Sequence, residues 1–244
     1  MNRKTLVYAH RGASKVAPEN SMSAFKLAKD MGADGIETDV MFSKDGHIMV
    51  HHDFELGRCE EGTGRIKDYT YFELRQMDIG SKFDEKFKGE KMPCIEETLK
   101  FCKENNLKLN IELKTGSPYD AGIEEKLVEI VKNYDMEESV VYSSFNHYSL
   151  MFVKKICKNA KVAALTGCVM VNPWEYLKLH DIDGYHPHYL TINDKVVSKM
   201  QHKDLFINAY TVDEEEYLQK MFACKVDGVI TNVPDLAIKI RDEK

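Results

Sequence analysis

Four histidines, an arginine and a pair of alternating carboxylates crowd into one stretch, Leu6 to Asp53, which reads LVYAHRGASKVAPENSMSAFKLAKDMGADGIETDVMFSKDGHIMVHHD. Imidazole titrates near neutrality and can both take and give a proton. A guanidinium offers a bidentate clamp to phosphate oxygens. Glu37 and Asp39, two residues apart, share one face of a strand, about 6.6 Å apart along it, and can reach one hard cation from the same side. The set His10, Arg11, Glu37, Asp39 and His52 suits metal-assisted cleavage of a phosphodiester. Each member also has a plainer reading: the two acids as the solvated face of a half-exposed strand, either histidine as a satisfied structural residue.

The elements that must position these residues are legible nearby. Leu6-Val7-Tyr8-Ala9 is a short apolar run closed by His10-Arg11-Gly12, which fits a buried strand. Asn20 and Ser21 offer a helix N-cap. Ala24, Leu27, Ala28 and Met31 recur at helical spacing, and Gly32 stands at the C-terminal cap position. Gly35 to Val40 is the next strand. Strand, helix, strand implies a parallel pair with a right-handed crossover. In a parallel barrel the inner face is expected to be packed with branched apolar side chains, so acids there need a partner. A divalent cation with oxygen ligands supplies one.

Lys44-Asp45-Gly46-His47 separates two extended runs, and Asp-Gly favours a two-residue hairpin turn. With Asp45 and Gly46 central, Asp39 falls opposite His52 and Val40 opposite His51. This register sends His52 to the acidic face and His51 away from it. A one-residue slip or bulge would exchange them.

Further on, Phe54 to Met92 breaks the strand-helix alternation. It is polar and glycine-rich, with a possible short helix at Tyr71 to Met77 and a charged run from Lys82 to Lys91. A long connection of this kind is usually functional or mobile, and the segment of about 41–94 is expected to sit above a barrel mouth. Strands are then predicted at Lys108 to Leu113, Val140 to Ser144, Lys161 to Thr166, Ile182 to His186, Phe206 to Thr211 and Gly228 to Thr231, each separated from the next by a helical pattern. With the His47 to Asp53 arm left out, about eight strand-helix units result, the TIM (β/α)8 barrel number. Catalytic groups in that fold sit at the carboxyl ends of strands. His10, Arg11, Glu37, Asp39, Glu112 and Lys114 all meet that test. Glu112 would be a third carboxylate, and three carboxylates suit Ca2+ or Mg2+ rather than zinc. Lys114 is read either as a phosphate-facing point charge or as a salt-bridge partner of the acids. His188, beside Pro187 at a strand end, is a candidate pocket wall.

Composition sets the bounds. The 244 residues suit one barrel domain over 1–244, with 43% hydrophobic and 30% charged residues. Lys and Arg total 34 against 40 Asp and Glu, a net charge of −6. That balance argues against nucleic acid or an anionic membrane as partner. Six cysteines show no C-x-x-C pair, hence no zinc or disulfide framework. Without a signal-peptide pattern or a span of about 20 apolar residues, a cytoplasmic enzyme without stable membrane association is expected. A homo-oligomer is left open.

Taken in order, HRG, PENS, GADGIETDV, DG, VHHDFELGR, then Glu61-Gly62-Thr63-Gly64, Met92-Pro93, Asn110-Ile111-Glu112-Leu113-Lys114, Ser143-Ser144-Phe145 and Ile230-Thr231-Asn232-Val233-Pro234 resemble the glycerophosphodiester phosphodiesterases over nearly the whole chain. The resemblance implies a TIM barrel that hydrolyses glycerophosphodiesters to glycerol 3-phosphate and an alcohol with a divalent cation. It places Glu37, Asp39 and Glu112 as metal ligands, His10 and His52 as the acid-base pair, and Glu19 near the site. Tyr210 stands where the family usually has Trp, keeping an aromatic wall on the alcohol side. Asn232 replaces a common Asp, a change expected to have little effect on chemistry. Two other readings stay open: a phospholipase D-type hydrolase acting on lysophospholipids, and a non-catalytic metal- or ligand-binding barrel. An exposed apolar rim would favour the first, and loss of a histidine or carboxylate the second.

Overall fold

The computed structural model describes residues 4–116 and 122–243. Its strands are β1 (Leu6–His10), β2 (Gly35–Phe42), β3 (Ile48–Val50), β4 (Lys108–Leu113), β5 (Val140–Ser144), β6 (Lys161–Thr166), β7 (Gly184–Pro187), β8 (Phe206–Ala209) and β9 (Gly228–Thr231). All pairings except β2–β3 are parallel, and β1 pairs with both β2 and β9, so eight strands close into a barrel with β3 as a lone antiparallel arm. The helices are α1 (Met22–Asp30), α2 (Tyr71–Gln76), α3 (Ile95–Glu104), α4 (Ile123–Asn133), α5 (His147–Ile156), α6 (Pro173–Leu179), α7 (Asp194–Gln201), α8 (Glu215–Ala223) and α9 (Pro234–Asp242). This is the TIM (β/α)8 architecture, with α2 in the segment that follows the β2–β3 hairpin.

Alternation along the strands divides two environments. Val7, Ala9, Ile36, Val40, Leu109, Ile111, Val162, Ile207 and Val229 join the helices' apolar faces in one buried cluster between barrel and helix ring. Leu56, Ile66, Leu74, Ile79 and Met92 pack with Met41 and Met49 as a second cluster beneath the inserted segment. The opposite strand faces carry Glu37, Asp39, Asn110, Glu112, Ser143, His186 and Asn208, all buried. The expected apolar filling of the barrel's inner face is therefore corrected: near the mouth this face is polar. Its groups bond to one another where they can, as Asn208 and His186 do at 3.0 Å. Branched side chains face the helices instead, where the larger area lies.

The hairpin also departs from expectation. Val40 pairs with Val50 and Phe42 with Ile48, one residue off the two-residue-turn register. The loop has three residues, Lys44-Asp45-Gly46, with Gly46 at φ 80° closing it. Ser43 accepts from the His47 amide at 2.9 Å and donates to Asp45 at 2.7 Å. The side chain of Ser43 thus fills the role that a tighter turn would leave to the backbone.

Candidate active site

The acidic centre is built by register. Glu37 of β2 lies beside His10 of β1, and Asp39 lies beside Glu112 of β4. The three carboxylates are 3%, 1% and 9% exposed for Glu37, Asp39 and Glu112. One oxygen of each lies within 4.8 Å of the others. Burial first, then the neighbouring charges of Asp39 and Glu112, raise Glu37 well above the ordinary carboxylate value. Burial and Asp39 likewise push Glu112 up to about 7. Asp39 Oδ1 is buried without a hydrogen-bond donor. A converging set of hard oxygens, one of them orphaned, matches what a divalent cation needs.

Around the acids the cations are held in order. Arg11 has φ 57°, a left-handed conformation that costs a non-glycine residue free energy. Its amide donates to the Glu37 carbonyl at 2.9 Å. Gly12 follows at φ 82°, where a Cβ would come within 2.6 Å of Ala24. This tight turn throws the Arg11 side chain over the acids, with Nε 3.4 Å from Asp39. Glu19 receives Arg11 Nη1 at 2.9 Å and a two-pronged grip from Arg58 at 2.6 and 2.7 Å. Asn20 is not the cap of α1; Ser21 is, accepting from the Ala24 amide at 3.0 Å. Asn20 instead donates to Asp39 Oδ2 at 2.9 Å. Lys114 Nζ donates to Glu112 at 3.0 Å and borders a cleft of about 540 Å³ lined also by His52, Phe54, Arg65 and Lys67.

The two histidines arrive by different routes. His10 Nδ1 lies 2.7 Å from Asn232 Oδ1, and Asn232 Nδ2 donates to Asp213 at 2.6 Å. The amide is thereby turned oxygen-first toward the ring, which makes His10 Nδ1 the donor and leaves Nε2, 3.9 Å from Glu37, as the free base. Burial, then the charge of Arg11, drops His10 to about 4, so it stays neutral. His52 Nδ1 lies 2.6 Å from Asp53 Oδ1. Burial opposes ionisation of Asp53, but its bonds to Arg58 and His52 hold it at about 2. Each ring is thus oriented by a partner in the manner of a catalytic dyad.

The shifted hairpin register puts His51, not His52, opposite Asp39, and the His51 amide donates to the Asp39 carbonyl at 3.1 Å. Strict alternation then ends, because β3 stops at Val50. The His51 ring turns under the loop, with Nδ1 donating to the Asp53 carbonyl at 2.8 Å and Nε2 3.1 Å from the buried carboxylate of Glu60. His52 is released toward the cleft, within electrostatic reach of Asp39, Arg11 and Lys114. The expected placement of His52 is met by a different route from the one the register suggested.

His51→Ala would leave Glu60 as a buried charge without its partner, a loss of about 3–5 kcal/mol. Its expected signature is a lowered melting temperature, read by calorimetry, with turnover per folded molecule within a few-fold of the parent. A folded variant with collapsed turnover would instead mark His51 as the reacting group.

Asp53, Arg58, Asn20, Asp213 and Asn232 are residues that the sequence reading did not single out as functional. Asn232, expected to have little effect on the chemistry, lies with its side-chain oxygen against His10 Nδ1. The signal lay in the strand-end position of Ile230-Thr231-Asn232, but the contact spans 222 positions. Asn232→Ala should lower kcat about ten- to a hundredfold, a part of the 10²–10⁴ that acid-base catalysis contributes, with KM little changed. A loss confined to KM would place Asn232 on the substrate instead. His188 and Tyr210 line the far side of the mouth: their rings meet edge-on at 6.0 Å, and Tyr210 Oη donates to the Thr166 carbonyl at 3.0 Å.

A barrel mouth with three acids, two histidines and a guanidinium suits the charge and proton-transfer chemistry of phosphodiester hydrolysis. Residues 10–236 match the glycerophosphoryl diester phosphodiesterase family. A glycerophosphodiester phosphodiesterase of Caldanaerobacter subterraneus is 42% identical, with 97% of this chain and 98% of that one covered. One of Bacillus altitudinis is 39% identical, covering 98% and 99%. The solved structure of an Oleispira antarctica phosphodiesterase, in complex with its product sn-glycerol-3-phosphate, superposes with a TM-score of 0.90 at 28% identity, over 98% of this chain and 97% of that one. The chain belongs to the glycerophosphoryl diester phosphodiesterase family and is an enzyme of that class.

Proposed function

We propose that the protein hydrolyses glycerophosphodiesters to sn-glycerol 3-phosphate and an alcohol, with a divalent cation, Ca2+ or Mg2+, held by Glu37, Asp39 and Glu112, and with His10 and His52 as the acid-base pair. The observation that carries this reading is the convergence, at one barrel mouth, of three buried carboxylates with two imidazoles each oriented through Nδ1. The names of the relatives and the product bound by the Oleispira enzyme support the substrate class.

A phosphodiester is anionic, so it must be neutralised before a nucleophile can approach. Bound at the three carboxylates, the cation would supply Lewis-acid stabilisation of the nonbridging oxygens. Arg11, braced by Glu19, clamps the same anion as a fork, while Lys114 offers a point charge from the cleft side. Glu19 acts through Arg11, since both its oxygens are engaged by arginines. The Nε2 atoms of His10 and His52 are free of hydrogen-bond partners among the described residues. One takes the nucleophile's proton and the other protonates the leaving alkoxide. His188 and Tyr210 border the alcohol side.

Among the described residues no helix is long and apolar enough to cross a membrane. The domain reading, one barrel over 1–244 with 41–94 set above its mouth, and a cytoplasmic enzyme acting on small diesters belong to the same proposal; the exposed Val169, Val171 and Leu190 favour the lysophospholipid alternative, so lysophosphatidylcholine belongs in the test. The test is release of glycerol 3-phosphate from a panel of diesters, with chelator and with added Ca2+ or Mg2+. Release that is abolished by chelation and restored by the cation is the expected result; no release, or release that chelation leaves unchanged, would overturn it.

A further inference from the structure

The two sides of the barrel mouth differ in the side chains they carry. The segment 51–94 on the β2–β3 side is rich in charges of both signs, with Arg58, Arg65, Lys67 and Lys82 among its cations. The four loops across the mouth, 145–146 after β5, 167–172 after β6, 188–193 after β7 and 210–214 after β8, contain neither Lys nor Arg, but do contain Asp213 and Glu214. In place of cations they present rings. Phe145 is 53% exposed and meets Tyr210 edge-on, with ring centres 6.0 Å apart and planes at 88°. His188 stands on Tyr210 at 83°. The His188 Nδ1 accepts from the Leu190 amide at 3.3 Å, which fixes the ring in this corner. Tyr210 lies within electrostatic reach of Glu112, which ties this corner to the acidic centre.

Resting on the proposed hydrolysis of glycerophosphodiesters, we infer that the corner formed by Phe145, Tyr210 and His188 is a subsite for a quaternary ammonium on the leaving alcohol, so that a choline ester is preferred over a neutral one. In the cleft on one side a positively charged head group meets Arg65, Lys67 and Lys114 together with Asp53 and Glu55. On the other side it finds aromatic faces, whose negative quadrupole attracts a cation that makes no hydrogen bonds. Acidic side chains on the same side add to that attraction, and no ammonium or guanidinium in those loops competes for the rings.

The discriminating substrate is the neutral carbon isostere of glycerophosphocholine, its 3,3-dimethylbutyl ester, which has the same shape without the charge. Wild-type kcat/KM should favour the choline ester by about two- to thirtyfold, the range set by cation–π attraction at exposed to desolvated sites. Phe145→Leu, which keeps bulk and removes the ring, should bring that ratio close to one, and Phe145→Tyr should retain it. Equal or better turnover of the isostere by the wild type would overturn the inference and show that the exposed Val169, Val171 and Leu190 rim takes hydrocarbon instead. An unchanged ratio in Phe145→Leu would overturn it as well. Glycerophosphoglycerol separates the two levels of argument. If it yields glycerol 3-phosphate while the choline preference is absent, only this inference falls; if no diester is cleaved, the proposed function falls with it.

Discussion

Glu37→Gln is expected to reduce turnover at least a hundredfold and to remove the response to added Ca2+ or Mg2+. Outer partners of metal ligands alone are worth about 10–100-fold in affinity or activity, and Glu37 is proposed as a direct ligand. The same change should have the opposite effect on the metal-free fold. Burial beside Asp39 and Glu112 raises Glu37 well above 4.5 and lifts Glu112 to about 7. Both groups therefore bind protons more readily folded than unfolded. Their favourable contribution is complete below the unfolded value and is lost as pH rises through the folded one. Chelated wild-type protein should melt lower at about pH 8 than at about pH 5. Saturating cation at about 100 times its dissociation constant should restore about 2.7 kcal/mol, or about 5–10 °C in a chain of this size. Glu37→Gln relieves one charge of the cluster, so its chelated form should melt above chelated wild type and show a shallower pH slope. Undiminished turnover of Glu37→Gln in chelator, or a melting temperature insensitive to cation, would remove the metal from the proposal.

His52→Ala and His10→Ala should each cost about 10²–10⁴ in kcat, the usual worth of a positioned acid or base. Their KM values should change little, because Arg11, Lys114 and the metal site hold the anion. The double variant should fall well short of the product of the two losses, since the rings act as a unit on one displacement. Steady-state kinetics on folded protein checks both. Activity within tenfold of wild type for either single variant would remove that histidine from the acid-base pair.

The barrel itself was open to reading from the chain alone. Apolar runs closed by Gly, helical spacing between them and a repeat of about eight such units leave few other ways to bury so many short strands. Glu37 and Asp39 fall on one strand face by simple alternation, and so do Glu112 and Lys114. Local periodicity settles which face a residue takes, and the strand ends settle which residues reach the mouth. The hairpin was not legible in the same way. Asp-Gly allows more than one turn length, and the choice lay with the side chain of Ser43 and with the Lys44 amide, which bonds to the distant Tyr69 carbonyl. Once β3 stopped at Val50, alternation no longer governed His51 and His52. Glu60 took the first of them into a buried pair, and Asp53 held the second at the cleft. The partner of His10 was equally hidden, because Asn232, held by Asp213, reaches it only when β9 closes the barrel against β1. The sequence determined the residue types and the strand faces, since these follow from neighbours two to four positions apart. Only the tertiary structure decided which nitrogen of His10 is free, because that depends on a hydrogen bond between segments brought together by barrel closure.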